Sequence, residues 1–319
     1  MKLVDMHCDT IFELYRRGDM NLKQNTLCVD LEKMKCAGSI AQFFACFIQM
    51  KMFQGQARWS EGYEYAKNMI AYARAELKKH PVELSFVQSY HELLKNEMDG
   101  KISAFLTVEE GGILDGKMER LEELYDQGIR LITLTWNEEN CLGFPNSRDG
   151  EVMKKGLKPF GVEAIERMNE LGIIIDVSHM SDGGFWGAIY HSKKPVVASH
   201  SNARELCHHP RNLSDDMIRA LAEKGGIAGI NFYPYFLNQS GKANMNDLIH
   251  HIEHMYRLGG EDFVAIGTDF DGFDQGELDL QHLGQIEQLY EGLKRHGFGE
   301  SQMEKFWHKN AMRVIKDVL

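Results

Sequence analysis

Short apolar runs alternate with amphipathic stretches along the whole of this 319-residue chain. Eight runs have the length and composition of strands: Lys2 to Asp9, Ser39 to Phe47, Ile102 to Glu109, Ile129 to Trp136, Gly172 to His179, Pro195 to His200, Gly226 to Phe232 and Phe263 to Asp269. Helical patterns lie between them, over Glu61 to Lys79, Met118 to Gln127, Gly161 to Leu171, Asp182 to His191, Asp215 to Lys224, Met245 to Leu258 and Leu280 to His296. Their apolar positions recur every three or four residues, as in Leu121, Leu124 and Tyr125. Gly128, Gly172, Gly226 and Gly297 stand where helices should stop. Eight β-then-α units predict an α/β fold, a (β/α)8 TIM-type barrel formed by residues 1–319 as a single domain, with a doubly wound open sheet as the alternative. Ser301 to Leu319 reads as closing helices.

The runs end in chemistry. The first closes on His7 and Asp9, the third on Glu109, the fifth on His179, the sixth on His200 and the eighth on Asp269. Side chains at i and i+2 of a strand leave the same face, so His7 and Asp9 can reach one cation. The competing reading of that pair is structural, with His7 capping the barrel floor and Asp9 opening the next helix. Repetition at five strand ends favours a site, because such barrels carry their chemistry at the C-terminal ends of the strands.

Composition narrows the class. Hydrophobic residues make up 43% and charged residues 26%, ordinary for a globular protein. A formal charge of −11 argues against nucleic acid, whose phosphates need a basic face. No apolar stretch approaches the ~18 residues needed to span a bilayer, and Met1-Lys2 leads directly into the first run, so the expectation is a cytoplasmic protein without a membrane partner. Six cysteines include no C-x-x-C pair; Cys8 and Cys46 fall within strand runs and are expected to be buried.

His7, Asp9, Glu109, His179 and His200 are a mixture of imidazoles and carboxylates that suits zinc or another borderline divalent ion. Five donors exceed what one catalytic zinc with an open position takes, but they suit two Zn2+ if a carboxylate bridges. Glu109 is the candidate bridge, with Glu110 the competing position because alternation lets only one of them face the mouth. Two ions roughly 3.5 to 4 Å apart could share a hydroxide, bring its pKa toward neutrality and polarise a carbonyl, which points to amide or ester hydrolysis. Asp269 is the candidate proton shuttle. Asp271 competes, although Gly272 suggests that the chain is already turning there and that Asp271 holds the loop. His250, His251 and His254 fall on one predicted helix and read as a polar or partly buried face, whereas His208 and His209 follow the sixth run closely enough to line the mouth.

Taken in order, Val4-Asp-Met-His-Cys-Asp9, Val108-Glu109, Asp176-Val-Ser-His179, Ala198-Ser-His-Ser201, Arg211-Asn212 and Gly267-Thr-Asp-Phe-Asp-Gly272 resemble the membrane (renal-type) dipeptidase family of zinc peptidases, which belongs to the amidohydrolase-like barrels. The resemblance runs from residue 3 to about residue 315. It implies His7 and Asp9 on one zinc, Glu109 rather than Glu110 bridging, His179 and His200 on the other zinc, and Asp269 as acid/base. It also implies that Arg211 binds the C-terminal carboxylate of a dipeptide, as a guanidinium fork can. Without it, Arg211 reads as a surface residue answering Asp215 or Asp216. Tolerance of a C-terminal D-residue and a homodimeric state are further implications, although no motif fixes an interface. One departure stands out. Mammalian relatives carry a histidine at the end of the fourth strand, where this chain reads Trp136-Asn137. Trp136 and Asn137 are therefore candidate substrate contacts, and the pocket is expected to differ in size.

The expected activity is that of a zinc-dependent dipeptidase, attacking the peptide bond with a metal-bridging hydroxide. The nearest alternative is another amidohydrolase-type enzyme such as an N-acyl amino acid deacylase. Many such barrels use a carboxylated lysine at the end of the fourth strand, and this chain has none there. A metal-binding barrel without catalysis is the rival from another class.

Overall fold

The computed structural model describes residues 1–274 and 278–319. Among the described residues nine strands are present: β1 (Leu3–Cys8), β2 (Ser39–Phe47), β3 (Leu84–Phe86), β4 (Ile102–Glu109), β5 (Ile129–Thr133), β6 (Ile174–Asp176), β7 (Val196–Ala198), β8 (Ile227–Ile230) and β9 (Val264–Ile266). They follow the order β2-β1-β9-β8-β7-β6-β5-β4-β3, all parallel, and a further β2–β4 pairing closes the ring. Eight strands thus form a (β/α)8 barrel, which excludes the open sheet. The additional strand, β3, pairs only with Ile102 to Ala104 of β4, before β5 takes over from Leu106.

Alternation sorts the strand side chains into two cores. Val4, Met6, Ala41, Phe43, Phe105, Leu131, Ile174, Val197, Ile227 and Ala265 point inward and share one buried cluster with Ala311, Val314, Ile315 and Val318. The last four come from a helix over Asn310–Val318 that closes the floor, where Arg313 Nη1 reaches the Gly225 carbonyl just ahead of β8. Outward strand residues such as Leu3, Leu106, Val108 and Ile266 pack under the surrounding helices. Those helices form for ordinary reasons. The one over Asp215–Glu223 is capped by Ser214, which accepts from Met217 N–H, and it buries Met217, Ile218 and Leu221 on one face.

Several element boundaries differ from the sequence pattern, and two of them have a visible physical reason. The expected helix from Leu280 to His296 is a 3-10 turn, Leu283–Gln285, followed by a helix over Glu287–Arg295. Leu283 N–H donates to the Cys28 carbonyl, and Leu280 and Leu283 are both buried, so docking of this segment overrides its helical periodicity. The stop after Glu223 is made by Gly225, with φ 75°, and not by Gly226. Gly226 is required for space, since a Cβ there would lie 2.1 Å from the Val196 carbonyl oxygen.

An irregularity in β1 sets the aim of His7. Asp5 pairs with Gln42 and Cys8 with Phe44, so β1 spends one more residue than β2 over the same interval. This bulge lets Met6 join the interior core while Cys8 joins the outer one, and turns His7 into the mouth between them. Asp5 pins the distortion by accepting from Gln42 Nε2 and Thr268 Oγ1, at 2.9 and 2.8 Å.

Candidate metal centre and substrate cleft

Strand ends deliver each candidate ligand to one mouth. His7 and Glu109 lie within β1 and β4, Asp9 directly follows β1, and His179, His200 and Asp269 sit in the turns just beyond β6, β7 and β9. Asp9 occupies the N-cap position of the helix Thr10–Arg17, yet its side chain caps nothing there. Instead its Oδ2 lies 3.4 Å from His7 Nε2. Glu109 divides its oxygens, with Oε2 3.3 Å from His7 Nε2 and Oε1 3.0 Å from His179 Nε2 and 3.7 Å from His200 Nε2. His179 Nε2 and His200 Nε2 are 3.1 Å apart, and the rings of His7 and His200 stack with centroids 3.9 Å apart. Asp269 Oδ1 completes the cluster at 3.7 Å from His7 Nε2.

These separations suit shared cations. Bonds of about 2.0 to 2.2 Å at tetrahedral angles place neighbouring ligand atoms about 3.3 to 3.6 Å apart. His7, Glu109 and His200 form one set of donor atoms lying within 4.8 Å of each other, and His7, Asp9 and Asp269 form a second. Both nitrogens of His7, Asp9 Oδ1 and His179 Nδ1 are buried without hydrogen-bond partners, which is costly unless something else satisfies them. Space has been cleared as well: a Cβ on Gly272 would stand 2.4 Å from Asp9 Oδ2 and 2.7 Å from Asp269 Oδ1. The donor set fits a pair of divalent ions.

Burial and neighbouring charge divide the titratable groups. Burial raises Asp9 and Asp269 above the usual carboxylate range, against the pull of the His7 imidazole. Burial would also raise Glu109, but His7 and His179 hold it well below that range. Burial lowers His179 and His200, with Arg211 adding to the effect. In His7 burial acts downward too, and the Glu109 and Asp9 carboxylates outweigh it.

The residues around this cluster separate cleanly. Asn231 Nδ2 donates to Asp269 Oδ2 at 2.8 Å, leaving Oδ1 toward the mouth. Asp269 and Asp271 both have left-handed backbones, φ 59° and 69°, so neither continues a strand. Asp271 accepts from Thr10 Oγ1 at 2.6 Å and from Cys28 N–H at 2.7 Å, tying down the loop. Glu110, with φ 106°, turns away from the mouth and accepts from Gly112 N–H, Trp136 N–H and Asn140 Nδ2. Burial raises its carboxyl to about 7.

Arg211 is buried rather than on the surface. Its Nη1 donates to Ser201 Oγ at 2.7 Å and its Nη2 to the His200 carbonyl at 3.0 Å, while Nε has no partner. Asp215 and Asp216 are engaged elsewhere, by His254 and Arg219. The surface reading of Arg211 therefore falls, and burial pushes its guanidinium down to about 10.

A cleft of about 790 Å3 opens over the cluster, lined by Asp9, Glu109, His179 and Asp269 at its base. Trp136 and Asn137 stand on its wall. The Trp136 ring packs edge-on to Phe47, with centroids 4.8 Å apart. Tyr233, Phe236 and Phe273 form a second aromatic wall. His208 is exposed, and His209 accepts from Arg211 N–H and leans on Phe236 instead of lining the cleft. On the helix over Met245–Gly259, His250 is exposed but His251 is fully inside, accepting from Ala203 N–H and meeting the Leu237 carbonyl. Sequence reasoning missed Asn231. It sits at the end of the β8 run, where the only signal was its position.

A family model described as membrane dipeptidase, peptidase family M19, matches residues 1–319. An uncharacterised dipeptidase of Schizosaccharomyces pombe is 31% identical over 332 aligned residues, covering 99% of this chain and 80% of its own. An uncharacterised Klebsiella pneumoniae protein in the pqqA 5′ region is 35% identical over 221 residues, covering 66% of this chain and 80% of its own. Among solved structures, dipeptidase AC, a metallo peptidase, superposes with a TM-score of 0.90 at 25% identity, covering 100% of this chain and 98% of its own. A metallo peptidase from Rhodobacter sphaeroides, liganded with a phosphinate mimic of L-Ala-D-Ala, superposes with a TM-score of 0.90 at 24% identity, covering 100% and 99%. No described helix is long and apolar enough to cross a membrane.

Proposed function

The chain belongs to the membrane dipeptidase family, and from that membership we propose how its residues cleave a dipeptide. It is a metallo-dipeptidase. The observation that carries this reading is Glu109, whose two oxygens face His7 on one side and His179 and His200 on the other. We assign His7, Asp9, Glu109, His179 and His200 as ligands of two Zn2+, an ion suited to mixed imidazole and carboxylate donors; manganese, iron or cobalt could replace it. When bound, such ions acidify water and polarise the scissile carbonyl.

The protein's own groups supply the rest. Asp269, its Oδ2 held by Asn231, takes a proton from the attacking water through Oδ1 and returns it to the leaving amine. Burial raises its pKa, which brings it nearer the range where it can do both. Arg211 keeps unused N–H donors, Nε among them, for the substrate's C-terminal carboxylate. A clamp of that kind measures length, so a dipeptide fits and a chain extended at its C-terminus does not. Trp136 and Asn137 border the substrate from the cleft wall. Tolerance of a C-terminal D-residue is part of the proposal, supported by the L-Ala-D-Ala mimic bound to the Rhodobacter protein.

We take residues 1–319 as one catalytic domain, since the eight strands that close the ring are drawn from the whole span between β1 and β9, with β3 alone outside it. A cytoplasmic location is supported by six cysteines that are all free thiols. A homodimer is proposed from family membership. The test is hydrolysis of L-L, L-D and N-acetylated dipeptides with and without chelator. Cleavage of free dipeptides that chelator abolishes and N-acetylation blocks is expected. Preferential cleavage of the acetylated substrates would make the enzyme a deacylase instead.

A further inference from the structure

His200 differs from the other two imidazoles in what holds its far side. The Nδ1 atoms of His7 and His179 have no hydrogen-bond partner, whereas His200 Nδ1 lies 2.8 Å from Ser199 Oγ. Ser199 Oγ donates in turn to Asp176 Oδ2 at 2.6 Å. A hydroxyl has one proton. With that proton given to Asp176, Ser199 can only accept from His200, so the imidazole proton sits on Nδ1. The lone pair is then left on Nε2, the atom that faces Glu109 and His179.

Asp176 is surrounded so as to enforce this polarity. It ends β6, fully buried. Its Oδ2 also accepts from Thr133 Oγ1 at 2.7 Å. Its Oδ1 accepts from Ser178 N–H at 3.0 Å, Ser178 Oγ at 2.6 Å and Ser199 N–H at 2.9 Å. Both serine hydroxyls therefore aim their protons at Asp176, although they stand only 3.1 Å from each other.

We infer that Asp176, acting through Ser199, is a positioning residue that locks His200 in its Nδ1–H tautomer and thereby sets how tightly this side of the cluster holds its divalent cation. The inference rests on the proposed assignment of His200 as a ligand. Metal-bound histidines commonly donate their second N–H to a carboxylate or carbonyl. Here a serine hydroxyl stands between the ring and the carboxylate.

Asp176→Asn would reverse the polarity. Two backbone N–H groups aim at Oδ1, so the amide oxygen must take that place and the NH2 must face Ser199. Ser199 would then accept from the amide and donate to Nδ1, which moves the imidazole proton to Nε2. Ser199→Ala cuts the relay and leaves Asp176 in place. The experiment is competitive titration of metal-stripped wild type, Asp176→Asn and Ser199→Ala with Zn2+ against a chromophoric chelator. It is paired with thermal unfolding of the stripped proteins and imidazole 15N spectra.

Wild type should take up two equivalents and carry its His200 proton on Nδ1. Each variant should weaken one equivalent by roughly 10- to 100-fold and leave the other nearly unchanged, with the unfolding midpoint of stripped Ser199→Ala within a few degrees of wild type. The inference is overturned if Ser199→Ala titrates like wild type, if the wild-type proton lies on Nε2, or if affinity falls only together with a collapse of the stripped protein's midpoint. A wild-type protein that binds no ion would remove the ligand assignment itself, and this inference with it.

Discussion

Gly272 and Asp9 approach so closely that any side chain on the glycine would displace the carboxylate: a built Cβ lies 2.4 Å from Asp9 Oδ2. The same Cβ would meet Asp269 Oδ1 at 2.7 Å, so one methyl group disturbs a ligand candidate and the proposed proton shuttle together. Gly272→Ala should lower metal affinity about 10- to 100-fold and reduce kcat. Metal content after gel filtration, read beside kcat, checks this. Full metal content with wild-type kcat would show that the loop yields.

Asp269→Asn should keep its metal and lose roughly 10²- to 10⁴-fold in kcat, the usual worth of a positioned acid/base group. Asn231→Ala removes one hydrogen bond to the same carboxylate and should cost less, about tenfold. Steady-state kinetics on a single dipeptide decide between them. A larger loss in Asn231→Ala than in Asp269→Asn would take the shuttle role away from Asp269.

The proposed Arg211 clamp predicts a substrate-dependent effect. Wild type should cleave a dipeptide far better than its C-terminal amide, and Arg211→Met should erase most of that preference through KM. A charge-assisted hydrogen bond is worth about 1.5 to 3 kcal/mol, or roughly 10- to 100-fold in kcat/KM. Because Arg211 also supports the His200 carbonyl and Ser201, metal content must be measured on the same sample. An unchanged ratio of free dipeptide to amide would dismiss the clamp.

Stability should fall in mild acid through His251. Burial lowers its imidazole from 6.5 to about 4 in the folded protein. The unfolded chain therefore takes up a proton first as pH drops, so the contribution is intact above 6.5 and is lost between about 6.5 and 4. From pH 7 to pH 5 the loss is about 2 kcal/mol. Urea unfolding of wild type and His251→Gln at both pH values checks this, and equal pH dependence in the two proteins would refute it.

Much of the barrel was legible because parallel strands and amphipathic helices leave different periods in the sequence, and because the ligand candidates sit at the ends of apolar runs. β3 left no such mark, since Leu84-Ser-Phe86 is too short to show a period. The β1 bulge was invisible for another reason. It is a mismatch between two strands, and no single strand records it. Asn231, Asp176 and Ser199 acquire their roles only from neighbours on other strands. The histidines on the Met245–Gly259 helix show how far burial can vary along one element, with His250 exposed and His251 enclosed.

The helix that plugs the floor comes after every strand of the barrel in the chain. β1 finds its place against β9 only across a separation as long as the 263 residues between Asp5 and Thr268, and Val314, Ile315 and Val318 fill the interior later still. The ring can therefore shut only after β9 has emerged from the ribosome. Until then the nascent strands expose apolar faces, and His7 and Asp9, on and just after the earliest of the barrel strands, wait longest for their partners.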